Sequence, residues 1–142
     1  MSRIARRTGL PLAALFTAAA ISGCTEVPTA EVGACLNSAD FSGEEVTDIP
    51  ALSCEEPHDL EVYHLSTVAD GAFPGEKELE ETAEQACVEA FEPYVGADFS
   101  ESALAITFMT PSQRAWEAGD DREIICLLQS EETTGSLKDS EL

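Results

Sequence analysis

The sequence predicts a small α+β domain: an antiparallel sheet of three to four strands packed on one long helix, held by two disulfides. Three observations predict it. A helix-period apolar stripe lies between Glu76 and Tyr94, and a strongly apolar run lies between Arg122 and Gln129. Four cysteines remain for pairing once a fifth, Cys24, is assigned to lipidation just after an N-terminal leader.

The helix is the clearest element. Leu79, Ala83, Ala86, Cys87, Ala90, Phe91 and Tyr94 recur at i, i+3, i+4 spacing and form one stripe. Glu76, Glu78, Glu80 and Glu81 occupy the first turns, where the helix dipole favours anions. Glu76, Glu80 and Glu84 repel one another at i, i+4, so the helix depends on tertiary packing. Pro93 should distort or end it, and Val95-Gly96 should stop it.

The strands follow from alternation and from turn residues. Asp59 to Val68 reads as a strand in which neither face is cleanly polar, because Leu60, Val62 and His64 alternate with Glu61, Tyr63 and Leu65. Ile49 to Cys54 reads as a short strand despite Pro50, and Asp40 to Asp48 as a loop. Asp70 to Gly75 is turn chemistry. Ser102 to Met109 places Leu104, Ile106 and Phe108 on one face of a further strand. Pro111 to Glu117 suits a helix of one or two turns carrying Trp116, and Gly119-Asp120-Asp121 a turn. The run Ile124-Ile125-Cys126-Leu127-Leu128 is apolar enough for a central strand covered on both sides. Ser130 to Leu142 is rich in Ser, Thr and Glu and reads mostly as a tail.

The N-terminus has the anatomy of a lipoprotein signal peptide over residues 1–23. Arg3, Arg6 and Arg7 are followed by a largely apolar stretch, Leu10 to Ile21, and by Ser22-Gly23-Cys24. Those 12 apolar residues are fewer than the ~20 that span a bilayer. Ile21-Ser22-Gly23-Cys24 looks like a lipobox, which makes Cys24 the lipidated residue and residues 24–31 a lipidated cysteine with a short tether. The expected setting is therefore the extracytoplasmic face of the cell membrane, reached through the lipid on Cys24. The domain itself is expected over residues 32–138, with a tail at 139–142.

Cysteine parity supports that reading. Five cysteines are an odd number, and lipidation of Cys24 leaves Cys35, Cys54, Cys87 and Cys126. An oxidising compartment favours two disulfides among the four. Three connectivities are open. Cys35–Cys54 with Cys87–Cys126 is favoured, because it pairs cysteines within the N-terminal segment and within the helix-plus-final-strand unit. A four-cysteine zinc site usually carries Cys-x-x-Cys spacing, and no two cysteines here lie closer than 11 residues.

Charge narrows the partners. Removal of residues 1–23 leaves 4 basic against 28 acidic residues, a formal charge of −24. Nucleic-acid binding needs clustered Lys and Arg, so nucleic acid is excluded as a partner. Anionic lipid head groups would repel the protein body. The partners that remain are cationic, neutral or a metal ion.

Two polar clusters are candidate binding residues. His58 and Asp59 follow Pro57 in a turn, and Trp116, Asp120 and Arg122 share a second loop. As structural elements, the first would bond local backbone before a strand begins, and the second would place Trp116 over a small core beside an Asp–Arg pair. His58 and His64 would stand about 20 Å apart along a strand, too far for one metal ion. No Gly-x-Ser-x-Gly and no phosphate-cradling glycine loop occurs, so the expectations are no catalytic residue, no cofactor and no metal.

Several spaced elements resemble one family. They are Val32-Gly33-Ala34-Cys35-Leu36, Cys54-x-x-Pro57-His58-Asp59-x-Glu61-Val62 and Phe73-Pro74-Gly75. Ala86-Cys87, Phe91-x-x-Tyr94-Val95-Gly96, Pro111, Trp116, Gly119-Asp120 and Cys126-Leu127 follow in order. Together they resemble the septum formation domain of actinobacterial envelope proteins. In that family's pattern Arg follows Gly-Asp directly, whereas here Asp121 intervenes before Arg122. The resemblance implies an envelope-associated role and no reaction. The leading expectation is a lipid-anchored, non-catalytic interaction module that binds an envelope protein or a cell-wall component. The alternative is a lipoprotein that binds a small ligand or metal in one pocket shared by the His58/Asp59 turn and the Trp116–Arg122 loop.

Overall fold

The computed structural model describes residues 29–41 and 49–142. The signal peptide, Cys24 and most of the expected tether and 40–48 loop lie outside the described residues. Four strands form one antiparallel sheet: β1 (Cys35–Leu36), β2 (His58–Thr67), β3 (Ala105–Met109) and β4 (Glu123–Thr133). Their spatial order is β1-β2-β4-β3. Helix α1 (Glu76–Val95) crosses between β2 and β3, and α2 (Gln113–Gly119) joins β3 to β4. This is the expected α+β architecture.

β4 lies inside the sheet, with β2 and β3 as its neighbours, and its apolar run is covered on both faces. Ile124, Cys126 and Leu128 pack with Tyr63 of β2 against the buried stripe of α1: Ala83, Cys87, Phe91, Tyr94 and Val95. Ile125 and Leu127 pack on the other face with Leu36, Ile49, Leu60 and Val62. The chain before β1 and Phe41 cover that second layer, which contains Ala30 and Ala34. The pairing register shifts between Val62 and His64, so Tyr63 and His64 both stand opposite Cys126. That bulge lets Tyr63 enter the helix-side core.

Both disulfides have the favoured connectivity. Cys35–Cys54 joins β1 to the turn before β2, with 5.2 Å between Cα atoms. Cys87–Cys126 pins α1 to β4, with 5.4 Å between Cα atoms. By loop entropy the loops of 19 and 39 residues correspond to about 3 and about 4 kcal/mol of stabilisation.

Four expectations are corrected. The segment from Ile49 to Cys54 is no strand; it makes one bridge, Leu52 to Cys35, because Pro50 lacks a ladder donor. Pro93 does not end α1, which runs on to Val95. Gly96 stops it, as expected, in the left-handed region at φ 87°, its N–H bonded to the Glu92 carbonyl. The third strand begins at Ala105 rather than Ser102, after a 3-10 turn at Phe99–Glu101 capped by Asp98.

The fourth correction concerns the C-terminus. β4 continues to Thr133, and residues expected as a tail are packed onto the domain. Leu137 is buried in the helix-side core. The N–H groups of Asp139 and Glu141 donate to the carbonyls of Tyr94 and Val95 at 2.9 Å each. Those carbonyls end α1 and have no partner within the helix, so the segment over 139–142 acts as its cap.

The anchor of that segment is Glu61, fully buried on β2. Its carboxylate accepts from Tyr94 Oη at 2.7 Å, Ser136 Oγ at 2.6 Å and Leu137 N at 2.7 Å. One buried acid thus ties the middle of the sheet, the end of the helix and the C-terminal segment together. Burial raises the Tyr94 hydroxyl well above the usual phenol range, and the Glu61 carboxylate adds to the shift. Burial alone does the same to Tyr63, whose hydroxyl donates to the Cys87 carbonyl at 2.6 Å.

Candidate functional site: the two ends of the sheet

Register decides whether the two polar clusters can share a pocket. His58 begins β2 and pairs with Thr133, whereas Thr67 ends β2 and pairs with Glu123, the residue after Arg122. Nine residue steps along a strand cover about 30 Å. The His58/Asp59 turn and the Trp116–Arg122 loop therefore sit at opposite ends of the sheet, and the shared pocket does not exist.

The Trp116 end is internally satisfied. The Trp116 ring is 3% exposed and its Nε1 donates to the Gly71 carbonyl at 2.9 Å. Phe73 meets the ring edge-on with centroids 5.9 Å apart. The Arg122 guanidinium lies over the other side, 4.0 Å from the ring centroid, a cation–π contact. Its Nη1 donates to the carbonyls of Trp116 and Asp121 at 2.9 and 2.8 Å. Its Nη2 pairs with Asp120 at 3.0 Å, and Nε faces Asp70 at 3.5 Å, a charge contact without hydrogen-bond geometry. Asp120 itself has left-handed backbone, φ 55°, and ends α2. Most polar groups of this cluster are taken up within it, and the exposed Asp70 and Asp120 carboxylates face Arg122. Asp121 adds to the knot rather than disrupting it: its Oδ1 caps the Glu123 N–H at 3.0 Å.

The opposite end is open. A cleft of about 700 Å³ lies between the 3-10 turn Ser38–Asp40, the start of β2 and the end of β4. Asp40, Asp59, Glu131 and Glu132 line it together with Asn37 and Pro57, and among the described residues no Lys or Arg lines it. Asp59 is the architectural member: Oδ1 accepts from Ser38 N at 2.7 Å and Oδ2 accepts from Ser38 Oγ, clamping the turn to β2. Asp40, Glu131 and Glu132 are exposed. This geometry offers carboxylates to a cationic or hydrogen-bond-donating surface.

His58 does not line that cleft. It is fully buried, and Nδ1 lies 2.8 Å from the Glu56 carbonyl, so Nδ1 donates and Nε2 carries the lone pair. Nε2 has no hydrogen-bond partner among the described residues. A ring nitrogen of His58 and the Sγ atoms of Cys35 and Cys54 all lie within 4.8 Å of one another. The turn expected from Pro57 is real, and His58 bonds local backbone as expected. Asp59 does not; its partner is 21 residues away.

Sequence reasoning missed Glu61 and the packing of residues 134–142. The available signal was a lone carboxylate inside the apolar run Leu60-Glu61-Val62-Tyr63. Its three donors come from positions 94, 136 and 137, which no local pattern links to it.

Among the described residues no helix is long and apolar enough to cross a membrane. A family model described as septum formation matches residues 32–141. The chain belongs to that family. No curated protein and no solved structure matches it.

Proposed function

We propose, with membership in the septum formation family as the premise, that this chain is a lipid-anchored, non-catalytic interaction module on the extracytoplasmic face of the cell membrane. The family match associates it with cell division and the cell envelope, and that match carries the reading. In this reading residues 1–23 direct export, Cys24 carries the lipid, and the folded domain presents the acidic cleft to an envelope protein or wall component.

Three features support it. Four cysteines form two disulfides, leaving Cys24 as the odd residue at the lipobox. Among the described residues the cleft walls carry carboxylates from three separate segments and no cation. The Trp116 loop, the other candidate binding element, is consumed by its own contacts.

The test has two arms. Metabolic labelling with a palmitate analogue should mark the protein and should lose the label in Cys24→Ser. A photo-crosslinking residue at Ala39, exposed on the cleft wall, should capture a reproducible envelope component in cells. Capture should fall at least about tenfold when Asp40, Glu131 and Glu132 are replaced by their amides. Absence of label sinks the anchor, and capture indifferent to those amides sinks the cleft.

A further inference from the structure

We propose that Cys35, Cys54 and His58 form a redox-gated site for a soft metal ion, closed while the disulfide is intact and opened by its reduction. The inference rests on the donor set and its burial, and is independent of the partner proposed above.

His58 carries the first observation. A fully buried imidazole nitrogen without a partner costs free energy, and native interiors rarely leave one. Its other nitrogen donates to the Glu56 carbonyl, which selects the tautomer with the lone pair on Nε2. Metal-bound histidines have this arrangement, with the second ring nitrogen held by a carbonyl or carboxylate.

The sulfurs carry the second. A His58 ring nitrogen and both Sγ atoms lie within 4.8 Å of one another. In a tetrahedral site with metal–sulfur bonds of about 2.3 Å, neighbouring ligand atoms stand about 3.5–3.8 Å apart. The His58 nitrogen must close by about 1 Å at most, and the two sulfurs, bonded in the disulfide, must part to that ligand–ligand distance after reduction, which Cys54 can allow because it lies in a turn beyond the strand ladder. Two thiolates and one imidazole suit Zn²⁺ or Cu⁺ and leave one coordination position open. The Cys-x-x-Cys spacing usual for zinc is absent because the fold, not local sequence, brings positions 35 and 54 together.

The gate follows from exposure. Cys87 and Cys126 are fully buried, and so is Cys35, whereas Cys54 is half-buried. An external dithiol reaches Cys54 Sγ first. Its thiolate attacks that sulfur, the S–S bond breaks, and its electron pair leaves with Cys35 as a thiolate. The dithiol's second thiolate then attacks its own sulfur in the mixed disulfide and expels Cys54. The reductant ends as a cyclic disulfide, having given up two electrons and two protons. Metal binding to the two sulfurs then releases those two protons to solvent.

The experiment uses the full chain with Co²⁺ and Zn²⁺ as probes. Mild dithiol treatment should free two alkylatable thiols, identified by peptide mass as Cys35 and Cys54, while Cys87–Cys126 persists. Anaerobic Co²⁺ should then give a thiolate-to-cobalt charge-transfer band that saturates at one ion per chain and is abolished by Zn²⁺. The oxidised protein should show no such band. His58→Gln should weaken Zn²⁺ binding by about 100-fold or more. If that variant misfolds, paramagnetically shifted imidazole resonances in the Co²⁺ form of the unaltered protein report His58 directly. Simultaneous release of all four thiols, absence of the band, or a band with no imidazole contribution would each overturn the proposal.

Discussion

The two ends of the sheet are built from similar residue types and arrange them differently. At the Trp116 end, a ring, a guanidinium and several carboxylates satisfy one another: every Arg122 nitrogen meets a carbonyl or a carboxylate, and the indole N–H is bonded. At the His58 end, among the described residues, three exposed acids line a cleft without a cation, and a buried imidazole nitrogen has no partner. Polar residues at a loop therefore carry no functional meaning until their partners are counted. The Trp116 end is held mainly by its own contacts, with Arg122 Nε left on a charge contact alone, whereas the His58 end leaves an imidazole nitrogen without a partner among the described residues.

The first way to break this comparison is to empty the knot. Trp116→Ala should cost about 3–5 kcal/mol, the usual range for a buried aromatic, read by denaturant unfolding. Partner capture from Ala39 should be unchanged in the folded fraction. Loss of capture without loss of stability would return Trp116 to a binding role.

A second, smaller effect tests what lies between the ends. Glu61→Ala leaves the Tyr94 hydroxyl and the Leu137 N–H without their acceptor, which should cost about 2–4 kcal/mol. Amide hydrogen exchange at Leu137, Asp139 and Glu141 should accelerate more than exchange in β4. Uniform acceleration would mean that Glu61 supports the whole core and not the C-terminal cap in particular.

Alkali should act through the same centre. Tyr63 and Tyr94 are the two tyrosines of the chain, and burial raises both above the ordinary phenol value. The folded state then holds these protons more tightly than the unfolded state. Their contribution is complete below about pH 10, the unfolded value, and is lost as pH climbs above it. Tyrosinate absorbance should appear only together with unfolding. A phenol titrating near pH 10 in folded protein would contradict the burial.

The smallest stability effect belongs to the open end. Glu131→Gln with Glu132→Gln should change stability by no more than about 0.5 kcal/mol, because both side chains are exposed. A melting-temperature shift comparable to that of Trp116→Ala would show that the cleft, too, is structural.

Periodicity made the core legible and left the partners illegible. The stripe of α1 and the run Ile124–Leu128 each bury themselves by a local rule, so both were readable, and cysteine parity pointed to two disulfides. β4 beyond Gln129 is not readable, because Ser130 to Thr133 are polar and only Thr133 pairs with β2, opposite His58 across a register shift. The C-terminal cap was hidden for a related reason: Leu137 is one apolar residue in a polar segment, and Glu61 holds it from 76 positions away. The two candidate loops looked equivalent because separation along a sheet is a property of pairing, which sequence spacing does not encode.

The central claim is that one end of the sheet is for binding and the other for stability. Ala39 and Ala118 are both exposed alanines, one on the cleft wall and one on α2 at the far end. The same photo-crosslinking residue placed at each position, at matched expression in cells, compares the ends directly. The account predicts a reproducible envelope adduct from position 39 and background from position 118. Equal capture from both, or capture from position 118 alone, would contradict it.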